Sequence, residues 1–251
     1  MPERYEGMAY WEMVSRQMGL LSRADQLKLK DSTVSVIGCG GIGGAAVEML
    51  ARMGVGSLRI IDSDVFDVSN INRQLMSSFR DLRIPKVDVA AERIRTVNPF
   101  SRVKVYHEIF DEENAAELIT GSDAVVDALD NITSRVIASR RCTSEGIPFI
   151  HGAIHGSMGQ VTVFREGSPS YEELFRLPSV GLELTADVKA KLRDLSSKTP
   201  PVIGPVANIT GCLQAAEVLK LITGRGDVIA APRMLKFDLF QGEPFKIVEL
   251  S

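Results

Sequence analysis

The chain has 251 residues, 45% of them hydrophobic and 24% charged, with a formal net charge of -3. That profile suits a globular protein with a sizeable core, and it supplies no general electrostatic pull toward nucleic acid or an anionic membrane. Cys39, Cys142 and Cys212 lie far apart and form no CxxC pair, which excludes a sequence-local zinc signature and a disulfide framework.

The first residues, "MPERYEGMAYWEMVSRQ", hold no apolar leader region, and no segment is long enough to span a bilayer. The expected setting is therefore the reducing cytoplasm. Residues 1–32 read as polar helical segments with scattered apolar anchors. "TVSVIG" (33–38) is a short buried strand, Gly38 to Gly44 make a turn, and Ala45 to Met53 read as a helix that Gly54 ends in a left-handed conformation. "LRIID" (58–62) is the next strand, completing a βαβ unit. Pro85 suits the first turn of a helix whose apolar residues Val87, Ala90, Ala91, Ile94 and Val97 follow helical spacing. Strands at 102–107 and 123–128 flank a short helix around 113–119. A helix from Ile132 to Glu145 stops at Gly146, and "IPFIH" (147–151) is another strand.

Such alternation predicts an α/β fold with a doubly wound, mostly parallel, Rossmann-like sheet. Beyond residue 151 the pattern changes. Strands at 159–164, 233–240 and 244–250 lack helices at βαβ spacing, so they are expected as antiparallel additions to one edge. The polar segment 166–204, with one helix near 186–195, reads as a mobile loop or crossover. Residues 205–224 form a strong helix with Pro near its start and Gly at its stop. The whole chain, 1–251, is expected as one domain, with 33–151 as the nucleotide-binding half and 152–251 as the acceptor-side half.

Gly38, Gly40 and Gly43 fit G-x-G-x-x-G between a strand and a helix, where backbone N–H groups and the positive helix end hold phosphate. Asp62, at the end of the second strand, is placed to accept hydrogen bonds from ribose hydroxyls. These features do not separate NAD from ATP. The residues beyond Asp62 do: Asn70, Arg73 and Gln74 fall past the carboxyl end of strand two, and Lys86 starts the next helix. Two cations converging on a Gly-rich turn suit a triphosphate better than a bridging diphosphate. "DALDN" ends strand four with Asp127, Asp130 and Asn131, where a carboxylate is positioned to hold Mg²⁺ on phosphate oxygens. The plainer alternatives are a solvated surface for Arg73 and Lys86, and a helix N-cap for Asp130.

The blocks "GCGGIGGAAVEMLARMGVGSLRIIDSDVFDVSNINRQ", "PKVDVAAERIRTVNP", "DALDN" and "GPVANITGCLQAAEVLKLITG" resemble the ThiF/MoeB/HesA family, within the superfamily of ubiquitin-activating enzymes. The resemblance implies an adenylyltransferase: ATP adenylates a carboxylate, usually the C-terminal glycine of a small ubiquitin-like protein, and pyrophosphate leaves. It also implies a homodimer with two ATP sites. By the same resemblance, Asp62 binds ribose and Gly41 contacts phosphate. Asn70, Arg73 and Lys86 hold the triphosphate, Asp130 coordinates Mg²⁺, and Arg16 of "SRQ" reaches into the partner subunit's site.

Two departures from the family bear on substrate. Where many relatives carry zinc-binding CxxC pairs, this chain reads "PSYEEL" (169–174), and its C-terminal residues hold no cysteine, so no zinc is expected. The 166–204 segment also lacks the cysteine that takes the acyl group in some relatives, so the adenylate itself is the expected product. The carboxylate then belongs either to a ubiquitin-like sulfur carrier or to a small molecule or peptide, such as the pyridinol carboxylate of iron-guanylylpyridinol cofactor synthesis. His151 and His155 are open to recognising it, or are incidental. Two readings from other classes are a non-catalytic ATP-binding scaffold and an NAD-dependent oxidoreductase.

Overall fold

The computed structural model describes residues 9–196 and 200–250. The first eight residues of the expected N-terminal helical segment, and residues 197–199 of the crossover, lie outside the described residues. Eight strands form one sheet in the order β3-β2-β1-β4-β5-β6-β7-β8. They are β1 (Thr33–Ile37), β2 (Ser57–Ile61), β3 (Arg102–Tyr106), β4 (Ala124–Asp127), β5 (Phe149–His155), β6 (Met158–Phe164), β7 (Arg233–Asp238) and β8 (Phe245–Glu249). The first five run parallel, and β6, β7 and β8 add on in antiparallel fashion. The mixed α/β sheet with antiparallel C-terminal strands is thus the architecture expected from the sequence.

Strand register sets the level of every loop above the sheet. Ile37 pairs with Ile61 on one side and Asp127 on the other, and Asp127 pairs with His151. Gly38, Asp62 and Ala128 therefore leave the sheet at one height. Between β1 and β4 the winding reverses, and ligands in such sheets bind in the crevice beyond the carboxyl ends at that point.

Two apolar layers hold the sheet. Val34, Val36, Leu58, Ile60, Ala124 and Val126 face one core, packed under α2 (Arg23–Asp31), α3 (Gly41–Arg52), α4 (Lys86–Val97) and α9 (Gly204–Thr223), with the short α1 (Ala9–Met13) preceding them in the chain. Ile37, Ile61 and Val125 face the other, under α5 (Ala115–Ile119), α6 (Ile132–Glu145), α7 (Tyr171–Leu174) and α8 (Ala186–Leu195). Adjacent residues point to opposite faces, which is why a run such as "SVI" serves both layers. Full burial of each Val, Leu or Ile contributes roughly 1.5–3 kcal/mol. The polar exception on β1, Ser35, is satisfied by Leu118 O at 3.1 Å and Ser122 Oγ at 2.8 Å.

Most helix limits follow the sequence signals. Gly146 and Gly224 cap α6 and α9 in the left-handed region, and Gly54 has φ +88° after α3. The start of α3 differs: it begins at Gly41 rather than Ala45. Three glycines disfavour helix intrinsically, yet the first turn is stabilised by contact with α9, where side chains would not fit. A Cβ on Gly211 would lie 2.2 Å from Ile42 O and 2.8 Å from Ala46 N.

Gly211→Ala is therefore expected to force α9 away from α3 and to cost roughly 1–3 kcal/mol of unfolding free energy or more. Urea denaturation checks this; an unchanged midpoint would mean that the crossing has slack.

Candidate nucleotide-binding site

The turn after β1 is built by backbone proximity. Gly38 has φ +97°, a conformation that L-residues rarely adopt, and a Cβ there would sit 2.5 Å from Ala128 O of the β4 loop. A Cβ on Gly43 would lie 1.8 Å from Gly38 O. Gly40 is the N-cap of α3 and uses no side chain to cap it, so the first N–H groups of the helix remain available to an anion. Gly41 is walled by Ala207 and by Arg73 O, which closes one side of the turn with the start of α9.

Asp62 stands at the second strand end. One carboxylate oxygen accepts from Cys39 N at 2.6 Å and the other from Asp64 N at 2.8 Å. Burial raises its pKa, and the Lys86 ammonium opposes that shift. Lys86 opens α4, is buried, and pairs through Nζ with Asp64 Oδ2 at 2.8 Å. Its position is therefore a fixed cation beside the glycine turn rather than a solvated surface charge. Cys39 is fully buried in the turn, and burial pushes its thiol well above the ordinary value, so it is no nucleophile at neutral pH.

The segment after Asp62 folds into a 3₁₀ turn, Val68–Asn70. Asn70 completes its capping box, accepting from Asp67 N at 3.0 Å. Arg73 Nη1 donates to Ser69 O at 2.7 Å and to Asn72 Oδ1 at 3.0 Å, which folds the guanidinium over that turn. Gln74 is buried against Gly40, and its Oε1 has no hydrogen-bond partner. The N-terminus of α9 closes on the same segment, since a Cβ on Gly204 would meet Asn72 O at 2.5 Å.

Beyond β4 the two carboxylates part company. Asp127 is fully buried and turns inward, accepting from His151 Nδ1 at 2.7 Å, while Asp130 is exposed. Among the described residues Asp130 makes no hydrogen bond or ion pair. The helix cap that its alternative reading required belongs instead to Asn131, whose Oδ1 accepts from Ser134 N at 2.8 Å. His151 is 1% exposed, among Phe164, Tyr171 and Phe175, so it belongs to the core, whereas His155 is exposed. Burial lowers the pKa of His151 against the pull of Asp127, and the nearby Arg135 lowers it further. The neutral ring then donates from Nδ1 to Asp127. Arg135, which the sequence signals did not single out, is largely but not fully buried and faces Asp127 from α6. Its only sequence cue is its place four residues after a capping asparagine.

Arg16 lies elsewhere in the same chain. It sits exposed in a 3₁₀ turn, Ser15–Gln17, and Gln17 donates to Met53 O at 2.9 Å at the far end of α3. Twelve helical residues separate that end from Gly41, a span of roughly 18 Å at the helical rise. The fold thus brings together Gly38, Gly40, Gly41, Gly43, Asp62, Asn70, Arg73, Gln74, Lys86, Asp130 and Asn131 at one end of the sheet, without Arg16. The 166–204 crossover is anchored: Arg140 on α6 pairs with Glu172 at 2.7 Å and donates to Ser179 O and Leu182 O. Among the described residues no helix is long and apolar enough to cross a membrane, and no cluster of three or more His, Cys, Asp or Glu stands ready for a metal. Cys142 is buried and Cys212 is exposed on α9.

The chain belongs to the ThiF family, whose pattern covers residues 14–251. It is 36% identical over 214 residues to the SAMP-activating enzyme E1 of Haloferax volcanii, covering 85% of this chain and 75% of that protein. It is 34% identical to the molybdopterin-synthase adenylyltransferase of Haemophilus influenzae, covering 86% of this chain and 84% of that one. Several other curated relatives are longer, and the chain spans about half their length. Among solved structures, MccB from E. coli with ATP shares the fold at a TM-score of 0.80 and 22% identity, over 100% of this chain and 74% of that chain.

A neutral buried His151 has a pH consequence. Its native pKa lies below the ordinary 6.5, so below that pH the unfolded chain takes up a proton that the native state does not, and stability falls as pH drops. Between about pH 7 and about pH 5.5, the melting temperature of His151→Gln should fall less than that of wild type. Parallel pH curves would assign the loss to other groups.

Proposed function

We propose that the chain is an ATP-dependent adenylyltransferase that activates a carboxylate as an acyl-adenylate. The observation that carries this reading is the convergence, at the β1–β4 switch point, of an uncapped helix start, a buried Lys86, Arg73 and the free carboxylate of Asp130. The names of the curated relatives support it.

In the reaction, a carboxylate oxygen attacks the α-phosphorus in line. The bond from that phosphorus to the bridging oxygen breaks, and pyrophosphate carries away the electron pair. No side-chain nucleophile is needed; the protein brings two anions together and neutralises charge as it moves onto the leaving group. Lys86 and Arg73 supply fixed positive charge. Gly40 and Gly41 present backbone N–H groups, and Asp62 retains lone pairs for ribose hydroxyls. Gln74 Oε1, buried without a donor, marks a place where a bound nucleotide satisfies the protein. The donor set also fits Mg²⁺, which binds through one or two carboxylates together with phosphate oxygens and water. Asp130 is the residue that would hold it, and the ion would neutralise phosphate charge. Asn131 serves the cap of α6 with its oxygen and keeps its amide N–H groups for the ligand.

The acceptor carboxylate in this reading is the C-terminal glycine of a ubiquitin-like sulfur carrier, in line with the relatives' names. A small-molecule or peptide carboxylate is favoured by one observation, the crossover without cysteine. The distance between Arg16 and its own glycine turn supports a homodimer in which Arg16 completes the site of a second copy.

Mg-ATP should raise the melting temperature, and pyrophosphate–ATP exchange should depend on a carrier ending in Gly-Gly or on a small carboxylate. ATP binding with no exchange for any carboxylate would favour the scaffold; stabilisation by NAD alone would overturn the reading. Asp130→Ala and Arg73→Ala should each lose about 100-fold or more in exchange with the melting temperature retained.

Mixing Arg16→Ala with Asp130→Ala subunits should restore about a quarter of wild-type exchange, because half the dimers are mixed and each has one intact site. No recovery, with subunit mixing verified, would place Arg16 outside the partner's site.

A further inference from the structure

Leu129, between the buried Asp127 and the exposed Asp130, is gripped on both of its main-chain groups. Its N–H donates to Asp127 Oδ1 at 3.1 Å. Its carbonyl accepts from Arg135 Nη2, which also donates to Gly152 O at 3.0 Å. The two side chains that do the gripping are themselves held together: Arg135 Nε faces Asp127 Oδ2 at 3.3 Å, with side-chain exposures of 12% and 0%.

That carboxylate oxygen is further fixed by His151 Nδ1, and Gln160 reaches His151 Nε2 at 3.3 Å. Gln214 Nε2 donates to Asp127 O at 2.7 Å and Ile150 O at 2.8 Å. The assembly ties the ends of β4 and β5 to the start of α6, with Leu129 in the middle. A buried guanidinium and carboxylate are expensive to desolvate and are weak contributors to stability compared with apolar packing. What this pair supplies is position.

We propose that Arg135 is a positioning residue for Asp130, acting through the main chain of Leu129 with Asp127 as its counter-grip. Arg135 touches no reacting atom in this scheme. It denies the 128–131 segment freedom, so that the exposed Asp130 carboxylate meets the nucleotide's phosphates without first being ordered. Lysine is a poor replacement: one nitrogen, Nη2, reaches both Leu129 O and Gly152 O, but an ammonium has no second nitrogen to stand where Nε faces Asp127. The role rests on the adenylation reading, but the grip itself is testable without catalysis.

The experiment uses the full chain with Arg135→Lys, Asp130→Glu and the double variant. By amide hydrogen exchange, Arg135→Lys should lose about tenfold or more in protection at Leu129, whose N–H donates to Asp127 Oδ1, and at Ala128, whose N–H donates to Ile37 O, while the amides of Val34 and Val36 keep theirs. Protection at Ala128 and Leu129 equal to wild type would overturn the proposal, whether or not the protein is active. In pyrophosphate exchange, Arg135→Lys should raise the Mg²⁺ concentration needed for half-maximal rate, and its effect should largely vanish in the Asp130→Glu background. Rate losses that multiply independently would mean that Arg135 acts on something other than Asp130. A wild-type protein without exchange activity would remove the adenylation reading and leave the hydrogen-exchange result to decide the grip.

Discussion

The close approach of two strand ends constrains everything above the sheet. Gly38 and Ala128 stand where β1 and β4 finish side by side, with room for a carbonyl but not for a Cβ. That contact lets the chain leave β1, turn within three residues and re-enter helix at Gly41. It also puts the β4 loop directly beside the helix start, so whatever binds at the amino end of α3 is within reach of residues just past Asp127. A side chain at Gly38 or Gly43 would separate the two loops, and the site would lose its floor and one wall together. The parallel register does the rest, because Asp62 and Ala128 leave the sheet at the same height.

Around that floor the charges are arranged so that each buried one has a companion. Lys86 is matched by Asp64 and lies close enough to Asp62 to work against its desolvation. Arg135 is matched by Asp127. Among the described residues, the Asp130 carboxylate and the N–H groups of the first α3 turn are left without a hydrogen-bonded side-chain partner, and they have opposite polarity. Such groups of opposite sign at one mouth are what a metal-chelated polyphosphate requires of a protein: donors for its oxygens and a carboxylate for its cation.

The sheet and the position of the site were legible because they depend on local patterns. Apolar runs bounded by Gly, a helix stop at Gly146, and a glycine turn followed by Asp62 each declare themselves over a few residues. Less legible was whatever depends on a contact across the sheet. Asp127 and Asp130 look equivalent in "DALDN", and only pairing with β5 turns Asp127 toward His151 and leaves Asp130 in solvent. His151 reads as the last residue of its strand until β5 is seen to extend to His155. The early start of α3 runs against the helix propensity of its glycines, and its cause is α9, about 160 residues further along the chain. Arg135 has an ordinary helical setting in the sequence; its significance comes from the depth at which it is buried.

The same distinction separates chemistry from substrate. Adenylation needs no residue that the fold must hide, since its machinery is charge at the rim of a crevice. A rim built this way is indifferent to what the carboxylate is attached to, because the attacking group contributes only two oxygens and a negative charge. Selectivity has to come from surfaces farther out than this rim. The crossover is held to α6 by Arg140 and Glu172, and its end at Gly204 packs on Asn72. Family membership thus constrains the reaction of this chain more tightly than it constrains the acceptor.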